Sequence, residues 1–154
     1  MLFRSIGQQR RRGQVISMTV EGILPAVANK RAETAVYLVV QEALSNVRKH
    51  ANAQNTWLRI FVRSPRLVIE IEDDGEGMVV DQMERHYQER GKMGVLTMRE
   101  RVQWLGGEIS FTAPCDPECH GTLVRIELPL ARLTSAANAD AASWVMATQS
   151  QQSA

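Results

Sequence analysis

The apolar pattern of this chain predicts an α/β fold: a two-layer sandwich with a mixed, mostly antiparallel sheet and helices on one face. Three observations carry that prediction. Thr56 to Arg63 and Leu67 to Asp73 alternate apolar and polar residues on either side of a tight Ser64-Pro65 turn, as a hairpin does. Ala32 to Ala53 and Val95 to Leu105 instead repeat apolar residues at helical spacing. The regular strand-helix alternation of a doubly wound parallel sheet is missing.

Taken in order, Gln14 to Val20 is the first strand, with Ile16, Met18 and Val20 on one face; Glu21-Gly22 and Pro25 break it. In the helix that follows, Val36, Val39, Val40, Ala43 and Val47 form an apolar stripe. Glu42, Asn46, Lys49 and His50 fall together on a neighbouring face. The hairpin turns Leu58, Ile60 and Val62 inward from its first strand and Leu67, Ile69 and Ile71 from its second. Residues 79–92 are polar, bounded by Gly77 and by Gly91 and Gly94. The second helix places Val95, Met98, Val102 and Leu105 on its core side and stops at Gly106-Gly107. Ile109 and Phe111 mark a strand. Thr122, Val124, Ile126 and Leu128 share one side of the last one, which Pro129 ends.

These limits give one domain over residues 14–131 and an Ala-, Ser-, Thr- and Gln-rich disordered tail over 132–154. Leu2-Phe3-Arg4-Ser5 is what a widely used sequencing-adapter end encodes in frame. Residues 1–13 therefore read as a residual, artefactual segment on a fragment that lacks its natural N-terminal part. The 154 residues suffice for a substantial core. A formal charge of +1 argues against nucleic acid or an anionic membrane as partner, and the Arg10-Arg11-Arg12 run reads as solvated chain. No apolar run is long enough to span a bilayer; two cysteines make no disulfide framework, so a cytoplasmic domain is expected, in a parent protein that could be membrane-anchored. Cys115 and Cys119 with His120 fall one ligand short of a structural zinc site, and a hairpin loop accounts for them better.

The chemistry centres on Asp73-Asp74-Gly75-Glu76-Gly77-Met78. Asp73 keeps the core-facing parity of its strand, and a carboxylate there is costly unless something donates to it. Two glycines follow, so the backbone can turn sharply and approach a ligand. A pocket for a donor-bearing ring or a ribose is the natural reading. Thr122 matches Asp73 in parity, and the start of the second helix, after Gly91 and Gly94, offers free N–H groups to phosphate.

These pieces resemble, over about residues 14–130, the ATP-binding domain of the GHKL superfamily, the Bergerat fold shared by histidine kinases, DNA gyrase, a heat-shock chaperone and MutL. Gln41-Glu42-Ala43-Leu44-Ser45-Asn46-Val47-Arg48-Lys49-His50-Ala51 looks like the N box, and Asp73 to Met78 like the first glycine box. Gly91-Lys92-Met93-Gly94 and the helix after it look like the second, and His120-Gly121-Thr122 supplies the closing Gly-Thr. Met98-Arg99-Glu100-Arg101 followed by Gly106-Gly107 is similar to the nitrate-sensor branch of bacterial sensor histidine kinases.

The resemblance implies that Asp73 accepts from the adenine amine with Thr122 beside it, while Gly75, Gly77 and Gly121 let the backbone pass close. Asn46 would ligate Mg²⁺, Glu42 would orient or polarise the attacking group, Lys49 would balance phosphate charge, and His50 would stand at the nucleotide. Gly91 and Gly94 would flank an ATP lid over residues 79–92. The implied reaction moves the γ-phosphoryl group of ATP to a histidine on a dimerisation helix of the parent kinase, upstream of a response regulator. None of His50, His86 and His120 fits the acceptor, so that histidine is expected outside this chain. An anti-sigma serine kinase, a DNA topology enzyme or a non-catalytic docking module of the same fold are the alternatives.

Overall fold

The computed structural model describes residues 15–77, 93–112 and 120–135. Expectations that fall on residues 1–13, Gln14, Met78, Cys115 and Cys119, on the whole lid over 79–92 with His86 and Gly91, and on residues 136–154 lie outside the described residues.

The strands are β1 (Val15–Glu21), β2 (Asn55–Arg63), β3 (Arg66–Asp73), β4 (Glu108–Thr112) and β5 (Leu123–Pro129). They form one sheet in the order β1-β2-β3-β5-β4. β1 runs parallel to β2, and every other pair is antiparallel. Helix α1 (Lys30–Asn46) makes the crossover that a parallel pair requires. Helices α2 (Met93–Trp104) and α3 (Leu130–Thr134) complete the second layer.

The hairpin forms as its alternation dictates. Arg63 pairs with Arg66 across the Ser64-Pro65 turn, and the register carries Ile60 opposite Ile69 and Leu58 opposite Ile71. β5 continues the same inner face with Val124, Ile126 and Leu128. Onto it α1 lays its whole stripe, with Val36, Val39, Val40, Ala43 and Val47 all buried; α2 adds Val95, Met98 and Val102. Each buried valine or methionine among them contributes about 1.5–3 kcal/mol on leaving water, so this layer contact organises the domain. Asn29 caps α1, its Oδ1 accepting from Ala32 N at 3.1 Å. Its Nδ2 also donates to Arg132 O. At the other end of the layer, α2 stops as its glycines predict. Gly106, at φ +69, donates to Gln103 O, and Gly107 N donates to Val102 O at 2.9 Å, the Schellman pattern.

The structure differs from the sequence reading in four places. The long helix does not run unchanged to Ala53. It widens into a π turn over Val47–Ala51 and ends at Asn52 in the left-handed region. α2 begins two residues before Val95. The folded chain passes the expected boundary at residue 131, because α3 follows Pro129 at once and drives Leu133 into the core at 5% exposure. Finally, the Ile16, Met18 and Val20 face is not core. β1 is an edge strand, the helices cover the middle of the sheet, and Met18 and Val20 stay exposed.

The outer face of the sheet is wet. Arg59 pairs with Glu72 at 2.6 Å, and Arg125 bridges Glu70 and Glu127. Such exposed ion pairs contribute little individually; they keep this face solvated and leave the inner face as the one for function.

Candidate functional site

A cleft opens where the π turn leaves the sheet. Its floor is Asp73 and Val124 with Thr122 at the mouth of β5, and Phe111 comes in from β4. Ala43, Asn46, Val47, His50 and Ala51 make the wall, and Gly77 stands at the rim. The space is about 60 Å³. That is the floor of a cleft and not a finished pocket for a whole ligand.

Asp73 is 3% exposed and faces inward, as its parity predicts. Its Oδ1 accepts from Gly75 N at 2.9 Å, and its own N–H donates to Thr122 O. Burial pushes its carboxyl above the ordinary carboxylate value, against the backbone N–H groups of Gly75 and Thr122, which hold it down. The carboxylate thus has acceptor capacity left and lies at a cleft, a poised acceptor for a donor-bearing ligand.

The glycines make this geometry possible, mainly by what they let the protein's own chain do. A Cβ at Gly75 would fall on the carbonyl oxygen of Ala51, and one at Gly121 on that of Asp73. Gly121 also holds φ +143, which side chains rarely adopt. The first glycine box is therefore sewn to the end of the π turn. Glu76 N donates to Ala51 O at 2.8 Å, and Asn52 Nδ2 donates to Glu76 Oε1.

Asp74 completes the seam, a role the sequence reading did not assign. Its Oδ1 accepts from Gln54 N and Asn55 N, and its Oδ2 from Asn55 Nδ2 at 2.7 Å. Burial works to raise its carboxyl, but the donors of Asn55 and Gln54 together outweigh it and leave it below the ordinary value. The polar run Asn52, Gln54, Asn55 was the available sequence signal, legible as a loop but not as a donor set.

The four helix residues that the 3.6-residue period groups together separate here. Asn46 and His50 line the cleft. Lys49 is exposed and is not among the lining residues. Glu42 is not among the lining residues either, and its carboxylate lies where a Cβ on Gly94 would stand at the start of α2. Apolar wall residues Val47 and Ala51 belong to the cleft because the π turn aims them there. Phe111, expected only as a strand residue, is buried at the floor with the Arg99 guanidinium 5.8 Å from its ring centre. Among the described residues there is no cluster of three or more acidic, His or Cys side chains that could hold a metal by itself. No described helix is long and apolar enough to cross a membrane.

Against known proteins, residues 31–132 match the family model described as histidine kinase-, DNA gyrase B- and HSP90-like ATPase. The chain is 35% identical over 102 residues to the signal transduction histidine-protein kinase/phosphatase DegS of Brevibacillus brevis, covering 66% of this chain and 24% of that protein. It is 38% identical over 97 residues to the sensor histidine kinase NarS of Mycobacterium tuberculosis, covering 63% and 22%. The chain thus spans about a quarter of the length of these relatives. Among solved structures it superposes on the Erythrobacter litoralis blue-light activated histidine kinase with a TM-score of 0.61 at 27% identity, over 79% of this chain and 37% of that one.

Proposed function

The chain belongs to the histidine kinase-, DNA gyrase B- and HSP90-like ATPase family, and on that premise we propose that its cleft binds ATP with Mg²⁺ and presents the γ-phosphoryl group to a histidine of a dimerisation helix outside this chain. The observation that carries the proposal is a buried, acceptor-poised Asp73 on the floor facing the Asn46 amide on the wall.

In this reading the purine amine donates to Asp73, with Thr122 beside the same ring edge and Gly77 and Gly121 giving the backbone close approach. Asn46 suits Mg²⁺ in one limited way. That ion keeps waters and substrate phosphates as ligands and needs only an oxygen or two from the protein, and the Asn46 amide makes no hydrogen bond among the described residues. Bound there, the ion would neutralise charge on the phosphates during transfer. Lys49, free to swing from the exposed end of the π turn, supplies a cation for the phosphate chain, and His50 lines the cleft near it. Glu42 orients the approach from beside Gly94, and Gly91 and Gly94 flank the lid. In the transfer a histidine ring nitrogen attacks the γ-phosphorus in line, the bond to the β-bridging oxygen breaks, and ADP leaves.

The finer assignment, to the nitrate-sensor branch of two-component kinases, rests on Met98-Arg99-Glu100-Arg101 and the Gly106-Gly107 stop. We further propose residues 14–134 as the folding unit, a cytoplasmic setting, and a response regulator as the phosphoryl acceptor downstream.

The test is phosphotransfer from γ-labelled ATP to a separately supplied dimerisation helix pair carrying a histidine, with and without a chelator. Acid-labile label on the helix pair, lost with chelator, is the expected result. Acid-stable phosphoserine on a partner would replace this reading with that of a serine kinase. Failure of the wild-type domain to bind nucleotide in a calorimetric titration would end it.

A further inference from the structure

The inner face of the sheet is built in rungs, and the composition of the rungs changes abruptly at the cleft. Ile60, Ile69, Ile126 and Ile109 lie in register across four strands, and Leu58, Ile71, Val124 and Phe111 make the next rung. One step further, the central strands turn polar: Thr56 opposes Asp73, and Asp73 N donates to the carbonyl of Thr122, while the edge strand β1 brings Ile16 beside Thr56. Asp73 and Thr122 line the cleft and are used by the proposed nucleotide site. Thr56 is not.

Thr56 is 1% exposed, and its Oγ1 is a buried side-chain atom with no hydrogen-bond partner among the described residues. An unpaired buried hydroxyl works against folding, and an apolar group of the same shape would remove that cost. β2 uses aliphatic side chains at the following inward positions, Leu58 and Ile60. Packing alone therefore gives no reason for a hydroxyl at residue 56. Its neighbour gives one. Directly opposed Cβ atoms in an antiparallel pair stand about 4.5–5.5 Å apart, close enough for a hydroxyl and a carboxylate to share a hydrogen bond or a single bridging water. Gly75 N already donates to Asp73 Oδ1 at 2.9 Å. A donor from β2 would hold the carboxylate from the opposite side and fix which oxygen lone pairs face the cleft.

We propose that Thr56 is a positioning residue for base recognition, its hydroxyl donating to the Asp73 carboxylate, directly or through one water, when a purine nucleotide occupies the cleft. This rests on the reading of the cleft as an ATP site. The residue does not touch the nucleotide; it acts through Asp73.

The experiment compares wild type, Thr56→Val and Thr56→Ser in the full chain, by calorimetric titration with MgADP and by thermal unfolding without nucleotide. Thr56→Val is expected to weaken MgADP roughly threefold to tenfold, the worth of one net hydrogen bond, while its unfolding temperature stays equal or rises. Thr56→Ser is expected to restore affinity to within about twofold of wild type, although it lacks the γ-methyl group and packs less well. A merely structural threonine would give the reverse pattern, with valine harmless and serine the worse substitution. Equal MgADP affinity in wild type and Thr56→Val overturns the proposal while leaving the nucleotide site standing. So does a loss in Thr56→Val that Thr56→Ser fails to repair. A wild-type chain that binds no MgADP overturns the site and this role together.

Discussion

Asp73→Asn separates recognition from folding, because it keeps the side chain's shape and removes its charge and one acceptor. In the structure Oδ1 accepts from Gly75 N at 2.9 Å in a setting only 3% exposed. Asparagine has a single carbonyl oxygen for that N–H, so its amide nitrogen would turn toward the purine amine, donor against donor. Losing a hydrogen bond to a charged acceptor costs about 1.5–3 kcal/mol, or roughly 10- to 150-fold in affinity. Stability should move the other way. Burial raises the Asp73 carboxyl in the folded state, against the Gly75 and Thr122 N–H groups. A raised carboxyl favours folding fully below its unfolded value near 3.9, and that contribution is lost as pH rises through the folded value. At neutral pH the ionised side chain therefore weighs against the fold, and asparagine does not. Calorimetric titration with MgADP should show at least a tenfold loss, and urea unfolding near pH 7 should show equal or greater stability for the variant. The advantage of the variant should shrink as pH falls toward about 4. Unchanged affinity, or an affinity loss matched by a collapse in stability, would refute the reasoning.

Three other perturbations test the frame around Asp73. Gly75→Ala places a methyl group on the Ala51 carbonyl; because backbone and not a flexible side chain is in the way, urea unfolding should show a loss near the upper end of about 1–3 kcal/mol. Asp74→Ala leaves the Gln54 and Asn55 donors without their carboxylate and should cost about 2 kcal/mol. Since the Asp74 carboxyl is lowered, its burial being outweighed by those donors, its contribution is present above about 3.9 and is lost as pH falls through the folded value. Acid unfolding of the variant should lack that part of the wild-type pH dependence. Leu133→Ala should cost about 2–3 kcal/mol in urea unfolding, as for a buried leucine at the margin of a core; an effect under about 0.5 kcal/mol would mean that α3 is not part of the folding unit.

What could be read from residues alone follows from how local the cause was. The hairpin, the α1 stripe and the parity of Asp73 are periodic signals within one element, and each holds in the structure. The exposure of Met18 and Val20 was not legible, because whether a strand's apolar face is buried depends on which helices cross it and not on its own sequence. α3 has five residues, too few to show a helical period before the tail composition takes over. Glu42 and Asn46 share one regular helix, and only the packing of α2 brings Gly94 to Glu42; the departure of Lys49 from the cleft that Asn46 and His50 line was hidden by the π turn. A 3.6-residue count carries all four polar residues around one cylinder, whereas an i→i+5 turn rotates everything beyond Asn46. Asp74 has no periodic signal of its own, and only the fold brings Gln54 and Asn55 to it.

The carbonyl of Ala51 is a shared joint. It accepts from Glu76 N, and Gly75 lies so close against it that no side chain fits between. The strand end bearing Asp73 and the helical stretch bearing Asn46 consequently meet at one oxygen atom, although the whole β2–β3 hairpin lies between them in the chain.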